Sequence, residues 1–288
     1  MIALIRELIL AEVKVDPDIV NHICDRATGK PNYDSVYHLT YNQADPKTED
    51  LFSLIEEHGL TEGNHIMEIM AGNGMETREI KNGMPGNQYT CLDHASYFMP
   101  IPGLSYHTAD CTDINYQHPQ AQDLIFIGSA NASMCMLLKL KDLLRLGVFL
   151  QKNVKLNGLA VLSYFEENIN ATNFIIDYSV KEVKNYKDQT YNGLYAHWFS
   201  AVKCDVETQL HQYYDLVAVT ADDELTGSST YKEISYNIKP FVTRSWQSAV
   251  VVEMMESAGF SYAGNKWNPD SRFMPFQKTR ELKLIHYL

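Results

Sequence analysis

At 288 residues the chain is too long for a bare nucleotide-binding core yet fits one domain with additions, and its 45% hydrophobic content supports a globular core rather than disorder. A formal net charge of −12, with Lys and Arg scattered along the chain, argues against a nucleic-acid partner, which needs clustered cations against phosphate. The five cysteines are too far apart in sequence for a zinc knuckle or a redox pair and read as free thiols of a reducing, cytoplasmic compartment.

The N-terminal segment is apolar at positions 2, 4, 5, 8, 9 and 13 but carries Arg6, Glu7, Glu12 and Lys14, which reads as an amphipathic helix and excludes a signal peptide or membrane span. Residues 1–50 are expected to form a helical lid, with a break around Ala27 to Pro31 and an aromatic stretch from Asn32 to Tyr41. Leu51 to His58 reads as a helix leading into the core, which spans 51–165.

The most informative stretch is His65-Ile66-Met67-Glu68-Ile69-Met70-Ala71-Gly72-Asn73-Gly74-Met75-Glu76. It reads as a buried strand with an acid near its end, a turn with two glycines one residue apart, and the start of a helix. A backbone that passes close to a ligand excludes a Cβ, and amides at a helix N-terminus suit a polar or anionic group. Thr77 stands where the dinucleotide fingerprint needs its third glycine, which disfavours a nicotinamide dehydrogenase, and the Gly-Lys-Ser/Thr end of a P-loop is absent. Four further strands follow at βα spacing: Gln88 to Asp93, Ser105 to Asp113, Asp123 to Ser129 and Asn157 to Tyr164, with a helix over Met134 to Asn153 between the last two. Strand and helix alternating at this spacing imply a doubly wound, Rossmann-like parallel sheet.

From about Glu166 the texture changes to tyrosines and β-favouring runs, at Gly193 to Val202, Glu207 to Val219 and Thr230 to Ile238. Residues 166–244 are therefore expected to hold a helix followed by an antiparallel sheet, inserted after the fifth core strand. The core resumes over 245–288, with a helix from Ser245 that stops at Ala258-Gly259. Phe260 to Lys266 and Glu281 to Tyr287 are expected as the closing strand pair, completing seven strands.

The acid of Glu68 before Gly72-Asn73-Gly74, followed by Asp93 and Asp110 at the ends of the next two strands, resembles the motifs of class I S-adenosylmethionine-dependent methyltransferases. Met70 occupies the position of that motif's first glycine. The resemblance implies a cofactor site of Glu68, Met70, Ala71, Gly72, Gly74, Asp93, His94, Asp110, Cys111, Gly128 and Ser129, with Asp93 at the ribose hydroxyls and Asp110 near the adenine amino group. The inserted sheet, the Ala-Gly helix stop and the Tyr33 to Tyr37 segment are similar to the aminosugar N,N-dimethyltransferases of macrolide biosynthesis. That likeness implies a homodimer through the inserted sheet and places Tyr33, Tyr37 and Asn131 as catalytic candidates. Tyr41, Ser133, Tyr195, His197, His211 and Tyr213 are further candidates on the acceptor side.

The chain departs from those relatives after the fourth strand, where Ser129 to Cys135 contain no histidine. Signatures of exocyclic-amine and pyrimidine C5 methylation and a magnesium-holding Asp-Asn pair are also absent. The expected activity is metal-independent methyl transfer from S-adenosylmethionine to an N or O atom of a small-molecule acceptor, with no metal site. The alternative is a catalytically inactive binding or scaffold protein of the same fold.

Overall fold

The computed structural model describes residues 1–30, 48–94, 103–128, 133–163, 174–186, 189–190, 192–264 and 273–282. The chain divides into two compact units, one of Pro46–Glu167 with Ser245–Leu288 and one of Met1–Asp45 with Asn168–Arg244.

The first elements are α1 (Ile2–Glu12), α2 (Pro17–Arg26), β1 (Thr28–Lys30) and α3 (Glu49–Glu57). The nucleotide-type core then runs β2 (His65–Ile69), α4 (Met75–Gly83), β3 (Gln88–Asp93), β4 (Ser105–Thr108), β5 (Gln122–Ile127), a 3-10 turn (Ser133–Met136), α5 (Leu140–Asn153) and β6 (Val154–Ser163). The antiparallel region comprises β7 (Phe174–Glu182), the short pair β8 (Asn185–Tyr186) and β9 (Gln189–Thr190), β10 (Tyr195–Asp205), β11 (Leu210–Thr220), β12 (Tyr231–Asn237) and β13 (Phe241–Arg244). The chain closes with α6 (Ser248–Ser257), β14 (Phe260–Tyr262) and β15 (Phe273–Lys278).

In the core unit seven strands lie in the order β14-β15-β6-β5-β2-β3-β4. The strands from β4 to β6 are parallel, and β15 runs antiparallel to both β6 and β14. Because side chains alternate across a strand, Met67 and Ile69 of β2 face one layer, with Leu143, Leu146 and Phe149 of α5 and Val251, Met254 and Met255 of α6. Ile66 faces the other layer, with Leu51 and Ile55 of α3 and Ile80 of α4. The same alternation turns Glu68 toward the α3–α4 layer, which decides its role below.

The second unit is an antiparallel sheet in the order β1-β12-β11-β10-β7, with β13 also paired to β11. Helices α1 and α2 cover one face through Ile5, Ile9, Val20 and Ile23, packed against Phe199, Ala201, Leu216 and Ala218. The break expected near Ala27 is a strand, since β1 pairs parallel with β12.

Two expectations are corrected. The pattern after the fifth core strand suggests a helix first; 164–173 lie outside the described residues, and from Phe174 to Glu182 the chain is a strand paired along its length with β10. Tyr178 and Val180 favour a pleated surface, and the ladder to β10 fixes it. The last closing strand is Phe273–Lys278 rather than 281–287, of which 283–287 lie outside the described residues. Pro275 disguises it, because proline within a run usually demotes a strand. Here its carbonyl still accepts from the amide of Ala263.

On the face opposite the helices, Asp215 is fully buried and accepts from Trp198 Nε1 (2.9 Å), Ser200 Oγ (2.7 Å) and Asn237 Nδ2 (3.0 Å). Burial raises its pKa from 3.8 to about 6, against the lowering effect of those three donors. A raised folded-state pKa contributes stability below the unfolded value that is lost as pH rises through the folded one. The shift corresponds to about 3 kcal/mol. Urea denaturation at several pH values should therefore show the wild type losing stability relative to Asp215→Asn between about pH 4 and pH 6. Parallel curves for the two proteins would contradict this environment.

Candidate functional site

The site forms where β2 gives way to α4. Three of the positions from 70 to 74 have positive φ: Met70 (55°), Gly72 (55°) and Gly74 (82°). A left-handed conformation costs a residue with a Cβ roughly 1–2 kcal/mol, and such outliers gather at functional sites. At Met70 the side chain packs against the α5–α6 layer, which offsets that strain. At Gly74 no side chain fits, since a Cβ would meet Cys91 Sγ at 2.8 Å and Leu104 Cδ1 at 3.0 Å.

Neighbouring strands pin the turn. Asp93, the last residue of β3, accepts the Gly72 amide through Oδ2 at 2.9 Å, and its Oδ1 lies 3.3 Å from His94 Nδ1. The Ala71 amide donates to Leu92 O (3.2 Å) and the Gly74 amide to Ala71 O (2.8 Å). Tyr106 of β4 donates its hydroxyl to the Gly72 carbonyl. Burial, then the charges of Asp93, Cys91 and Glu68, push the Tyr106 phenol up, so it is held as a donor.

Below the turn, the buried Glu68 carboxylate accepts from both the amide (3.0 Å) and the hydroxyl of Thr77. Thr77 is in the first turn of α4, whose amides have no partner within the helix, so an acid on β2 caps the helix that follows it. Glu76 is buried beside it. Burial, and next the charge of Glu76, hold Glu68 well above the usual carboxylate range, with the Thr77 bonds opposing. Burial and then Glu68 push the Cys91 thiol up to about 12, so it is an inert thiol under the turn.

Of the other expected cofactor residues, Asp110 accepts the Thr112 amide (2.7 Å) and hydroxyl (2.8 Å) through Oδ1. Cys111 is buried in the α5–α6 layer, and Gly128 follows β5 against the Glu68 and Glu76 carboxyls. Tyr33, Tyr37, Tyr41, Ser129 and Asn131 lie outside the described residues. Ser133 is buried in the 3-10 turn.

The acceptor-side candidates in the antiparallel sheet are not brought together. Tyr195 and His197 share the face of Phe199 and Ala201, while His211 and Tyr213 share the opposite face with Val217. His197 is fully buried, with Nε2 at 2.9 Å from Asp222 O and 3.0 Å from Thr220 Oγ1, and Nδ1 at 2.9 Å from Tyr178 Oη. Burial lowers its pKa, against the raising effect of the Asp222 carbonyl and the charges of Asp222 and Asp223. It fastens the β11–β12 connection. Sequence reasoning missed Glu76, Thr77 and Tyr106. The one available signal was an acid and a hydroxyl together in a helix's first turn, where both suit the free amides and the dipole.

No family model matches the chain, and no curated protein matches it in sequence. Solved structures do match in fold. The sugar N-methyltransferase KedS8 from Streptoalloteichus sp ATCC 53650 aligns with a TM-score of 0.64 at 11% identity, over 88% of this chain and 95% of its own. DesVI from Streptomyces venezuelae gives 0.64 at 11% identity, over 86% and 98%. CalS10, an amino pentose methyltransferase from Micromonospora echinaspora solved with bound S-adenosylmethionine, gives 0.64 at 10% identity, over 88% and 100%. The fold is that of the class I methyltransferases. Within this fold the strand order reverses between β3-β2 and β5, and the glycine turn stands at that switch point, where open α/β sheets bind ligands.

Two glycines separate strain from crowding. Gly63 has φ +74° and open space where a methyl group would be added, whereas Gly74 has φ +82° and two close neighbours. Gly63→Ala should cost about 1–2 kcal/mol from conformation alone. Gly74→Ala should cost more in chemical denaturation, and equal losses would contradict the packing of the turn on Cys91 and Leu104.

Proposed function

We propose that the chain is an enzyme that transfers a methyl group from S-adenosylmethionine to an N or O atom of a small-molecule acceptor, without a metal. The observation that carries this reading is the glycine turn held by Asp93 at the switch point of a methyltransferase sheet. The residues present suit the cofactor. Gly74 lets the turn pack closely on Cys91 and Leu104, and the Asp93 carboxylate stands at the end of β3 beside that turn, bonded to the Gly72 amide.

In this reading Asp93 holds the ribose hydroxyls, the turn amides and the N-terminus of α4 receive the methionyl carboxylate, and Asp110 and Cys111 border the adenine. Met70, Ala71, His94, Gly128 and Ser129 complete the lining. When bound, the cofactor supplies an activated methyl group on sulfur. The remaining task of the chain is to hold an acceptor in line with that methyl and to exclude water. Tyr33, Tyr37 and Asn131 are the residues proposed for that task. A homodimer through the antiparallel sheet and a cytoplasmic location belong to the same proposal. Among the described residues no helix is long and apolar enough to cross a membrane.

KedS8 and CalS10 are a sugar N-methyltransferase and an amino pentose methyltransferase, so amino sugars are the first acceptors to assay. Turnover of any acceptor separates the enzyme from a non-catalytic scaffold. Isothermal titration should detect binding of both S-adenosylmethionine and S-adenosylhomocysteine. Asp93→Ala should weaken both by about 10–100-fold, the worth of one hydrogen bond to a charged group. Absence of binding by either compound at millimolar concentration would overturn the proposal.

A further inference from the structure

Glu68 and Glu76 converge on one point beside the end of β5. A Cβ placed on Gly128 would lie 1.8 Å from Glu76 Oε2 and 2.8 Å from Glu68 Oε1, so the two carboxyls occupy the space a side chain there would take. The two carboxyls therefore stand close to one another. Both side chains are buried, and two like charges this close in a site shielded from water do not both ionise.

Among the described residues, the groups around Glu68 supply no replacement for the proton the pair keeps. From α4 it receives the amide and hydroxyl of Thr77. From β3 it faces Cys91, and from β4 the phenol of Tyr106, both pushed up and therefore uncharged near neutral pH. Asp93 contributes a further negative charge to the same strand ends. None of the groups acting most strongly on Glu68 is a cation. Glu68 is accounted for as a helix cap, but a cap does not need a second buried acid beside it.

We infer that Glu68 and Glu76 hold one shared proton in the free protein and release it to solvent when a cationic cofactor binds, so that cofactor uptake is coupled to pH. The inference rests on the S-adenosylmethionine reading of the site. That compound carries a sulfonium and an ammonium, and a positive ligand near the pair takes over the role of the proton. Glu76 is then a positioning and specificity residue: it makes the pair respond to positive charge, while Asp93 and the glycine turn respond to the shape and hydroxyls of the nucleoside.

The test is titration of S-adenosylmethionine into the full chain in phosphate and in Tris, whose ionisation enthalpies differ widely. The wild type should show buffer-dependent heats that correspond to net proton release, and affinity that rises with pH by up to about tenfold per unit through the range where the pair titrates. Glu76→Gln should bind with no proton release and with affinity flat in pH. Gly128→Ala, which forces the carboxyls apart, should diminish the release. Wild-type binding with the same heat in both buffers and with pH-independent affinity would overturn the inference while leaving the cofactor reading intact. Failure of both S-adenosylmethionine and S-adenosylhomocysteine to bind would overturn the cofactor reading and this inference with it.

Discussion

The bond from the Thr77 amide to the buried carboxylate of Glu68 joins the end of β2 to the first turn of α4, and the geometry of the glycine turn depends on it. A helix start buried against a sheet leaves amides that must find acceptors. Here the acceptor is an acid on the preceding strand, which fixes how far the chain travels between the two elements. The short link must cover that distance, so the backbone enters the left-handed region at Met70, Gly72 and Gly74. Asp93 and Tyr106 then fasten the turn from its amide and its carbonyl sides at Gly72. The turn is thus held by contacts made from β2, β3 and β4 together.

The parts of this arrangement that are legible in the sequence are those carried by local pattern. Two glycines after an apolar strand, with Asp93 and Asp110 at the ends of the strands that follow, require no knowledge of tertiary contacts. Asp93 can be placed at a strand end by position alone, although its bond to Gly72 cannot. Thr77 reads in the sequence as the absence of a glycine, and its actual role as donor to Glu68 depends on the helix axis that brings it back over the strand. Glu76 reads as an ordinary acidic residue of a first helical turn. Its burial against Glu68 and Gly128 follows from the pairing of β2 with β5, which no spacing rule reveals.

The misses elsewhere have similar causes. Pro275 sits inside β15, where a proline argues against a strand, and its tolerance depends on the neighbours on either side. Ile176, Tyr178 and Val180 alternate with Asp177, Ser179 and Lys181, a period-two strand signal that a helical reading overlooks, and the long ladder to β10 fixes the strand. Thr28 to Lys30 are too few to signal a strand and gain that conformation only by pairing with β12. His197 reads as an acceptor-side residue because histidine often carries chemistry. Its contacts with Tyr178, Thr220 and Asp222 show that both ring nitrogens serve the fold. Asp215, inconspicuous in the sequence, is the buried acid of that sheet.

The central claim is that the crevice between β2, β3 and α4 is a nucleoside-cofactor site built on Glu68, Gly72, Gly74 and Asp93. A crystal structure of the chain with S-adenosylhomocysteine tests it most directly. The account predicts the ribose hydroxyls at the Asp93 carboxylate and the amino-acid end over the Gly72 to Gly74 backbone. Ligand density at any other place in the fold, with the glycine turn untouched, would contradict it.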